Sequence, residues 1–558
     1  MGFPVLSTHG KGIADVLVGD VTPSGKLTDT IAYSIDDYPS SKNYGDAHKN
    51  FYQEDIYVGY RYFETFNPEK VQFEFGYGMS YTDFDISTSS FRLDNDYIQI
   101  DCNVKNVGES YSGKEVVQVY YEAPQGKLGK PARQLVAFRK TENLKPGEAQ
   151  SFTISFPVEK MASFDDGGIT GYPSAFVLES GEYKIYIGNS VRNLNEVTLE
   201  GQGGGYVLDE TTVVEQLEEA LAPRESFTRI KPGQRKEDGT YEMVYEDVPQ
   251  ARISLEKRIK ENLPKDIKQT GDKGYKLRDV YDGKVSMETF IAQLNDNELA
   301  TIVRGEGMSS PYVTPGTASA FGGVSESLFN YGIPIGCCAD GPSGIRMESG
   351  LKATQIPIGT LLAATWNIEM IEELYVLQGK EMLNNNIDFL LGPGMNIRRS
   401  PLNGRNFEYF SEDPLITGDF AAAVMKGLRK GGANGTLKHF AGNNQEYSRH
   451  NVDAVVSERA LREIYLKAFE IPVKDGNTNA IMTAYNPVNG YWTASGYDLN
   501  TTILREQWGF DGMVMTDWWA KMNDVIKGGQ GSTKLTGSMV RAQNDVYMVV
   551  NNYGAEGN

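Results

Sequence analysis

The feature that most narrows the fold is a rhythm in the second half of the chain. Short apolar runs recur there, separated by stretches with helical spacing. The runs are 300-ATIVRG-305, 333-IPIGCCAD-340, 388-DFLLGPGMNI-397, 436-TLKHFAG-442, 479-NAIMTAYN-486, 512-GMVMTD-517 and 544-NDVYMVV-550. An unbroken apolar strand implies burial on both faces, as in a parallel sheet covered by helices. Between two of the runs, 457-SERALREIYLKAFEI-471 predicts a helix. Ser457 is placed to cap it, Glu458 falls in its first turn, and Leu461, Ile464, Tyr465 and Ala468 share one face. Such strand–helix repetition predicts a (β/α)8-type, TIM-like barrel over 276–558, with one strand irregular. On pattern alone a doubly wound open sheet is the alternative.

The first half follows other rules. Residues 84–204 alternate apolar and polar, as in 97-YIQIDCNV-104, 115-EVVQVYYEA-123, 151-SFTISFPV-158 and 183-YKIYIGN-189. Short alternating strands without intervening helices predict an antiparallel β-sandwich. Residues 1–30 read as one short helix and a turn, too little for a core of their own. Residues 31–83 read as an irregular connector, and 205–275 as a linker with helices, one predicted over 213-VVEQLEEALAP-223.

Composition excludes several classes of function. The 558 residues carry a net charge of −20, which repels phosphate backbones and argues against nucleic acid as a partner. No apolar run approaches the ~20 residues of a membrane-spanning helix, and the start, MGFPVLSTHGKGIADV, has no signal-peptide pattern. A cytoplasmic location is therefore expected. The cysteines, Cys102, Cys337 and Cys338, are too few for a disulfide framework; the adjacent pair reads as small buried residues on a strand. The four histidines form no metal motif, and no glycine-rich nucleotide loop follows a strand. No metal or cofactor is expected.

In a barrel of this kind, chemistry gathers where the strands end at their C-termini. Those ends carry Asp340, Arg398 and Arg399, Lys438 and His439, Tyr485, and Asp517. Polar groups after apolar runs are costly to bury unless paired or used. Asp517 precedes Trp518 and Trp519, and a carboxylate beside indole rings suits a sugar, whose apolar faces stack while its hydroxyls need acceptors. Each residue also has a plainer reading. Asp517 could cap a following helix, Asp340 could open a turn before Gly-Pro, and Lys438 and His439 could be an ordinary loop pair. Arg405 could clamp a ligand or join a salt-bridge cluster with Glu408, Glu412 and Asp413. Glu446, His450 and Asp453 read as solvated charges.

The segments 340-DGPSGIR-346, 403-NGRNFEYFSEDP-414, 438-KHFAGNNQE-446, 457-SERALREIYLKAFE-470, 483-TAYNPVNG-490 and 508-WGFDGMVMTDWW-519 resemble glycoside hydrolase family 3, in its β-glucosidase-like branch. Residues 12-GIADVLVGDVTPSGKL-27 and 72-QFEFGYGMSYTDF-84 are similar to the end of that family's α/β sandwich domain and its lead into a fibronectin type III-like domain, which 84–204 resemble. The order is reversed, with the barrel last. The resemblance implies that Asp517 is the nucleophile of a retaining, exo-acting β-glucosidase. It implies that Asp340, Arg405, Lys438 and His439 hold the sugar, with Tyr485 and Trp518 beside the nucleophile. β-Glucosides or cello-oligosaccharides are then the partners, and a homo-oligomer or a complementary domain is left open. The Lys438 and Arg405 charges are expected to lower the Asp517 pKa. In that branch the acid/base glutamate belongs to the sandwich domain, ahead of the GIADVL-type segment, so it is not expected within this chain, which reads as truncated at both ends. A sugar-binding scaffold without turnover, a β-xylosidase and a β-N-acetylglucosaminidase remain alternatives.

Overall fold

The computed structural model describes residues 4–308 and 310–549. In the second half, strand Ile335–Asp340 pairs in parallel with Phe389–Leu391. Just beyond it, Gly394 forms a parallel bridge to Lys438. Lys438 lies on Leu437–Phe440, which pairs in parallel with Ala480–Thr483 and, through it, with Met513–Met515. Met515 then bridges Val546, Tyr547 bridges Arg304, and Glu306 bridges Ala320. Ala320 sits on Ser319–Gly322, which runs antiparallel to Ile335–Asp340. The pairings thus return to the strand where they began. Helices Ile368–Asn384 and Pro414–Gly431 lie between strands in sequence and pack on each other. The Gly379 and Gly431 backbones make that approach possible, because a Cβ at Gly379 would lie 2.9 Å from the Gly431 Cα.

The apolar runs at 335–340, 389–391, 437–440, 480–483 and 513–515 are strands, as predicted. The run 300–305 is not. Asp296–Val303 is a helix, opened by a reciprocal cap in which Asn295 and Glu298 satisfy each other's backbone N–H groups. That capping box outweighs the strand preference of Thr301, Ile302 and Val303, and only Arg304 joins the strand pairing. The helix from Ser457 forms as expected, with the Ser457 hydroxyl accepting from Ala460 N at 2.9 Å. It widens into a π turn over Leu461–Tyr465 before continuing as Lys467–Asp475.

Residues 84–199 contain two antiparallel sheets. Phe84–Ser87, Phe91–Asp94 and Ala149–Pro157 flank Tyr97–Asn106, while Gly181–Gly188 and Gln134–Lys140 flank Val116–Glu122. Their inner faces bury Ile98, Ile100, Val104, Val117, Val119, Ile185 and Ile187 in a core separate from the main one. The helix predicted over 213–223 is instead strand Thr212–Gln216, paired with Ala175–Leu178. The two valines suit that pairing, and the acidic residues that follow serve as partners, Glu218 for Arg258 and Glu219 for Arg252. The polar run after it forms a hairpin, Thr228–Arg235 with Tyr241–Asp247. Residues 31–83 are more than a connector: Tyr52, Tyr57, Phe63 and Phe66 are buried in the main core, with helix Tyr60–Phe66 as the wedge. No helix among the described residues is long and apolar enough to cross a membrane.

Candidate active site

Most of the polar residues at the strand ends surround one hollow; Arg398 and Arg399 do not, and pair instead with Asp29 and Glu54. Asp340 closes Ile335–Asp340, Lys438 and His439 lie within Leu437–Phe440, and Tyr485 and Asp517 each follow a strand by two residues. Arg405 comes from the loop between Phe389–Leu391 and helix Pro414–Gly431. All six, together with Trp518, line a cavity of about 470 Å³. The seven residues singled out from sequence therefore converge.

Asp517 is 7% exposed. Its Oδ1 accepts from Trp518 N at 2.7 Å, while its buried Oδ2 has no hydrogen-bond partner among the described residues. His439 Nε2 lies 3.6 Å from Oδ2, beyond hydrogen-bond range. The chain after Asp517 turns, with Trp519 at φ 55°, and enters strand Met522–Asp524, so there is no helix for Asp517 to cap. Burial raises the Asp517 pKa, while the Arg405 and Lys438 charges, the Trp518 N–H and the Tyr485 hydroxyl lower it. Burial prevails, so the pKa lies above the ordinary aspartate value rather than below it as the two cations alone would dictate.

Asp340 does more than open a turn. Its Oδ1 accepts from Lys438 Nζ at 2.9 Å. Burial alone would raise its pKa, but Lys438 holds the carboxyl below the usual range. Arg405 pairs with Glu408. Glu412 and Asp413 do not join that cluster: Glu412 accepts from Thr30 N and Tyr60 N, and Asp413 from Arg61. Burial first, then Arg405 and Lys438, push His439 well below its normal pKa, so its ring is neutral. Tyr485 has Arg449 over its ring at 4.7 Å and the His450 ring 4.1 Å away, and burial raises its hydroxyl pKa.

Several lining residues escaped the sequence reading. Arg346, Glu348 and Arg449 add charge at the rim, and Met308 adds exposed apolar surface, as does Trp519, which the sequence already places beside Asp517. Arg346 lies inside the quoted 340–346 segment, but nothing local separates a pocket arginine from a surface one. Glu446, His450 and Asp453 are not simply solvated. Glu446 pairs with Arg449 at 2.7 Å, His450 packs on Tyr485, and Asp453 lies in a strand that pairs with Lys49–Phe51. Among the described residues no group of histidines, cysteines and carboxylates is arranged to hold a metal ion.

Comparison with known proteins bears on the same residues. The pattern described as "Glycosyl hydrolase family 3 N terminal domain" matches residues 270–556, "Fibronectin type III-like domain" matches 115–191, and "Glycosyl hydrolase family 3 C-terminal domain" matches 5–81. The domain that other members carry last thus comes first here. A "Beta-glucosidase" of Ruminococcus albus is 54% identical over 542 residues, covering 97% of this chain and 56% of that protein. "Beta-glucosidase A" of Butyrivibrio fibrisolvens is 41% identical over 551 residues, covering 91% of this chain and 64% of that protein. The crystal structure of a β-glucosidase from Paenibacillus barengoltzii superposes with a TM-score of 0.95 at 64% identity, covering 97% of this chain and 58% of that one. The chain spans between half and two thirds of the length of each of these relatives. With the N-terminal-domain pattern alone covering half the chain, this protein belongs to glycosyl hydrolase family 3.

Proposed function

We propose that residues 276–558 form a (β/α)8-type barrel with strand Ser319–Gly322 reversed, and that it binds a terminal, non-reducing β-D-glucosyl residue whose anomeric carbon Asp517 attacks. Strand pairing that leaves no free edge supports the barrel. The names of the relatives support a β-glucoside. The observation that carries the reading is a buried carboxylate with an unpartnered oxygen, set in a cavity lined by Asp340, Arg405, Lys438 and His439. A buried acceptor left unsatisfied is costly, so it marks a place where function outweighs stability.

In the first step an Asp517 oxygen bonds to the anomeric carbon, the bond to the leaving oxygen breaks, and that oxygen takes up a proton. In the second, water adds to the same carbon, loses its proton and frees the aspartate, so configuration is retained. Asp340 and Lys438 hold sugar hydroxyls as acceptor and donor, with Arg405 and His439 as further donors. Tyr485 and Trp518 shape the floor beside Asp517. Asp340 and Glu348 share the cavity, but each is tied to a cation, Lys438 and Arg346. Lys438 holds the Asp340 carboxyl below the usual range, and a carboxylate held ionised is a poor proton donor, so the acid is not assigned to Asp340.

The test uses two substrates and one variant. Asp517→Asn should lower turnover of an aryl β-glucoside by about 10⁴-fold or more without lowering the unfolding temperature; retained activity would remove Asp517 from the mechanism. The native chain should cleave aryl glucosides with acidic phenols much faster than cellobiose if no acid serves the site. Equal relative rates would show that a carboxylate of this chain or of a partner supplies the proton. Binding of glucose without turnover of either substrate would leave a sugar-holding scaffold.

A further inference from the structure

His439 is buried and neutral, so one ring nitrogen carries a hydrogen and the other a lone pair. Nε2 faces Asp517 Oδ2 at 3.6 Å, and Nδ1 lies 3.3 Å from the Tyr409 hydroxyl oxygen. Which nitrogen holds the hydrogen decides whether the cavity meets a donor or an acceptor.

The neighbours of Tyr409 decide it. Glu446 pairs with Arg449 at 2.7 Å, and carboxylate oxygens engaged with a guanidinium act as hydrogen-bond acceptors. The side of the Asn443 amide that lies 3.1 Å from Glu446 Oε1 must therefore be its NH2. That nitrogen is also 3.0 Å from the Tyr409 oxygen, so the phenol accepts there. Burial raises the Tyr409 pKa, so the phenol keeps its hydrogen, which needs an acceptor. Arg405, alongside, has only donors. Among the described residues the acceptor within reach is His439 Nδ1.

We propose that Tyr409 is a positioning residue for His439: its hydroxyl donates to Nδ1 and keeps the ring hydrogen on Nε2, where it faces Asp517 and the bound sugar. This rests on reading the cavity as the glucoside site. With the other tautomer a nitrogen lone pair would face the carboxylate, and the cavity would lose a donor for a sugar hydroxyl. The relay runs Arg449, Glu446, Asn443, Tyr409, His439, and it connects the loop after Leu437–Phe440 to the 403–414 loop.

The test is nitrogen NMR on the full chain labelled with ¹⁵N-histidine, in which His439→Gln identifies the His439 signals among the four histidines. In the native protein Nε2 should be protonated and Nδ1 unprotonated and hydrogen-bonded. Tyr409→Phe should move the Nδ1 resonance towards that of an unbonded pyridine-type nitrogen. A proton on Nδ1 in the native protein, or an Nδ1 signal unmoved by Tyr409→Phe, overturns the proposal. Should Tyr409→Phe not fold, the native tautomer alone decides. This measurement needs no turnover, so it stands even if the glucosidase reading fails. Kinetically, Tyr409→Phe should cut kcat/KM for an aryl β-glucoside by about tenfold, the worth of one ordinary hydrogen bond. It should cause no further loss in a His439→Gln background. Equal losses in both backgrounds would make Tyr409 merely structural and overturn the assignment.

Discussion

Asp517 balances two opposed demands. Burial strengthens its interactions in the cavity but favours its protonated form, while Arg405, Lys438, the Trp518 N–H and Tyr485 favour the carboxylate. The nucleophile must be ionised, so activity should fall as pH drops through its folded pKa, which lies above the ordinary 3.8. The acidic limb of kcat/KM is therefore expected above pH 3.8. Lys438→Met should move that limb to higher pH, because one of the two stabilising cations is gone; a limb that stays in place in the pH–rate profile would contradict this account. The sign for stability is the reverse: the native state binds this proton more tightly than the unfolded chain. Asp517 thus favours folding fully below pH 3.8 and ceases to as pH rises through its folded value. A buried acceptor without a partner is a local cost of the kind active sites carry and core residues such as Val514 do not.

The helix Pro414–Gly431 joins the cavity loop to the first half of the chain through its cap. Asp413 Oδ1 accepts from Leu415 N at 2.8 Å and Ile416 N at 3.0 Å, while Oδ2 accepts from the Tyr60 hydroxyl and from Arg61. Its neighbour Glu412 accepts from Thr30 N at 2.9 Å and Tyr60 N at 2.8 Å. Gly59 permits this approach: at φ 56° a Cβ would lie 2.0 Å from the Glu412 carboxyl carbon. Asp413→Ala removes a cap worth about 1 kcal/mol and leaves a buried arginine without its charge partner, a loss of about 3–5 kcal/mol. Chemical unfolding should show a drop of about 3 kcal/mol or more; a change below 1 kcal/mol would mean that water reaches Arg61. Asp413-Pro414 is readable as a helix start from sequence. The partners of Glu412 and Asp413 are not, because they lie more than 350 positions earlier in the chain.

The main core draws on residues from Tyr52 to Ala542, so the early tyrosine-rich stretch and the strand–helix half share one interior. Phe63 is fully buried there, with its ring 5.5 Å from that of Tyr38. Phe63→Ala should cost about 3–5 kcal/mol and lower the unfolding temperature of the strand–helix half as well; calorimetry showing that half unchanged would mean the early segment folds independently. Pattern alone revealed the alternating strands of 84–204, the apolar strands near 335, 389, 437, 480 and 513, and the polar residues at their ends. These signals are local: periodicity reports how many faces a strand buries, and a carboxylate after an apolar run is conspicuous wherever it goes. Other features escaped such reading. Val213 and Val214 pair as a strand because Ala175–Leu178 offers them an edge, and Thr301–Val303 turn into a helix because a cap precedes them. Arg405 separates from Glu412 and Asp413 because distant backbone N–H groups and Arg61 claim those acids. Residue order thus dictates which groups must be buried and which must find partners; only the packed chain determines which distant partner each one meets, because that choice depends on through-space distance and competition for the same donors.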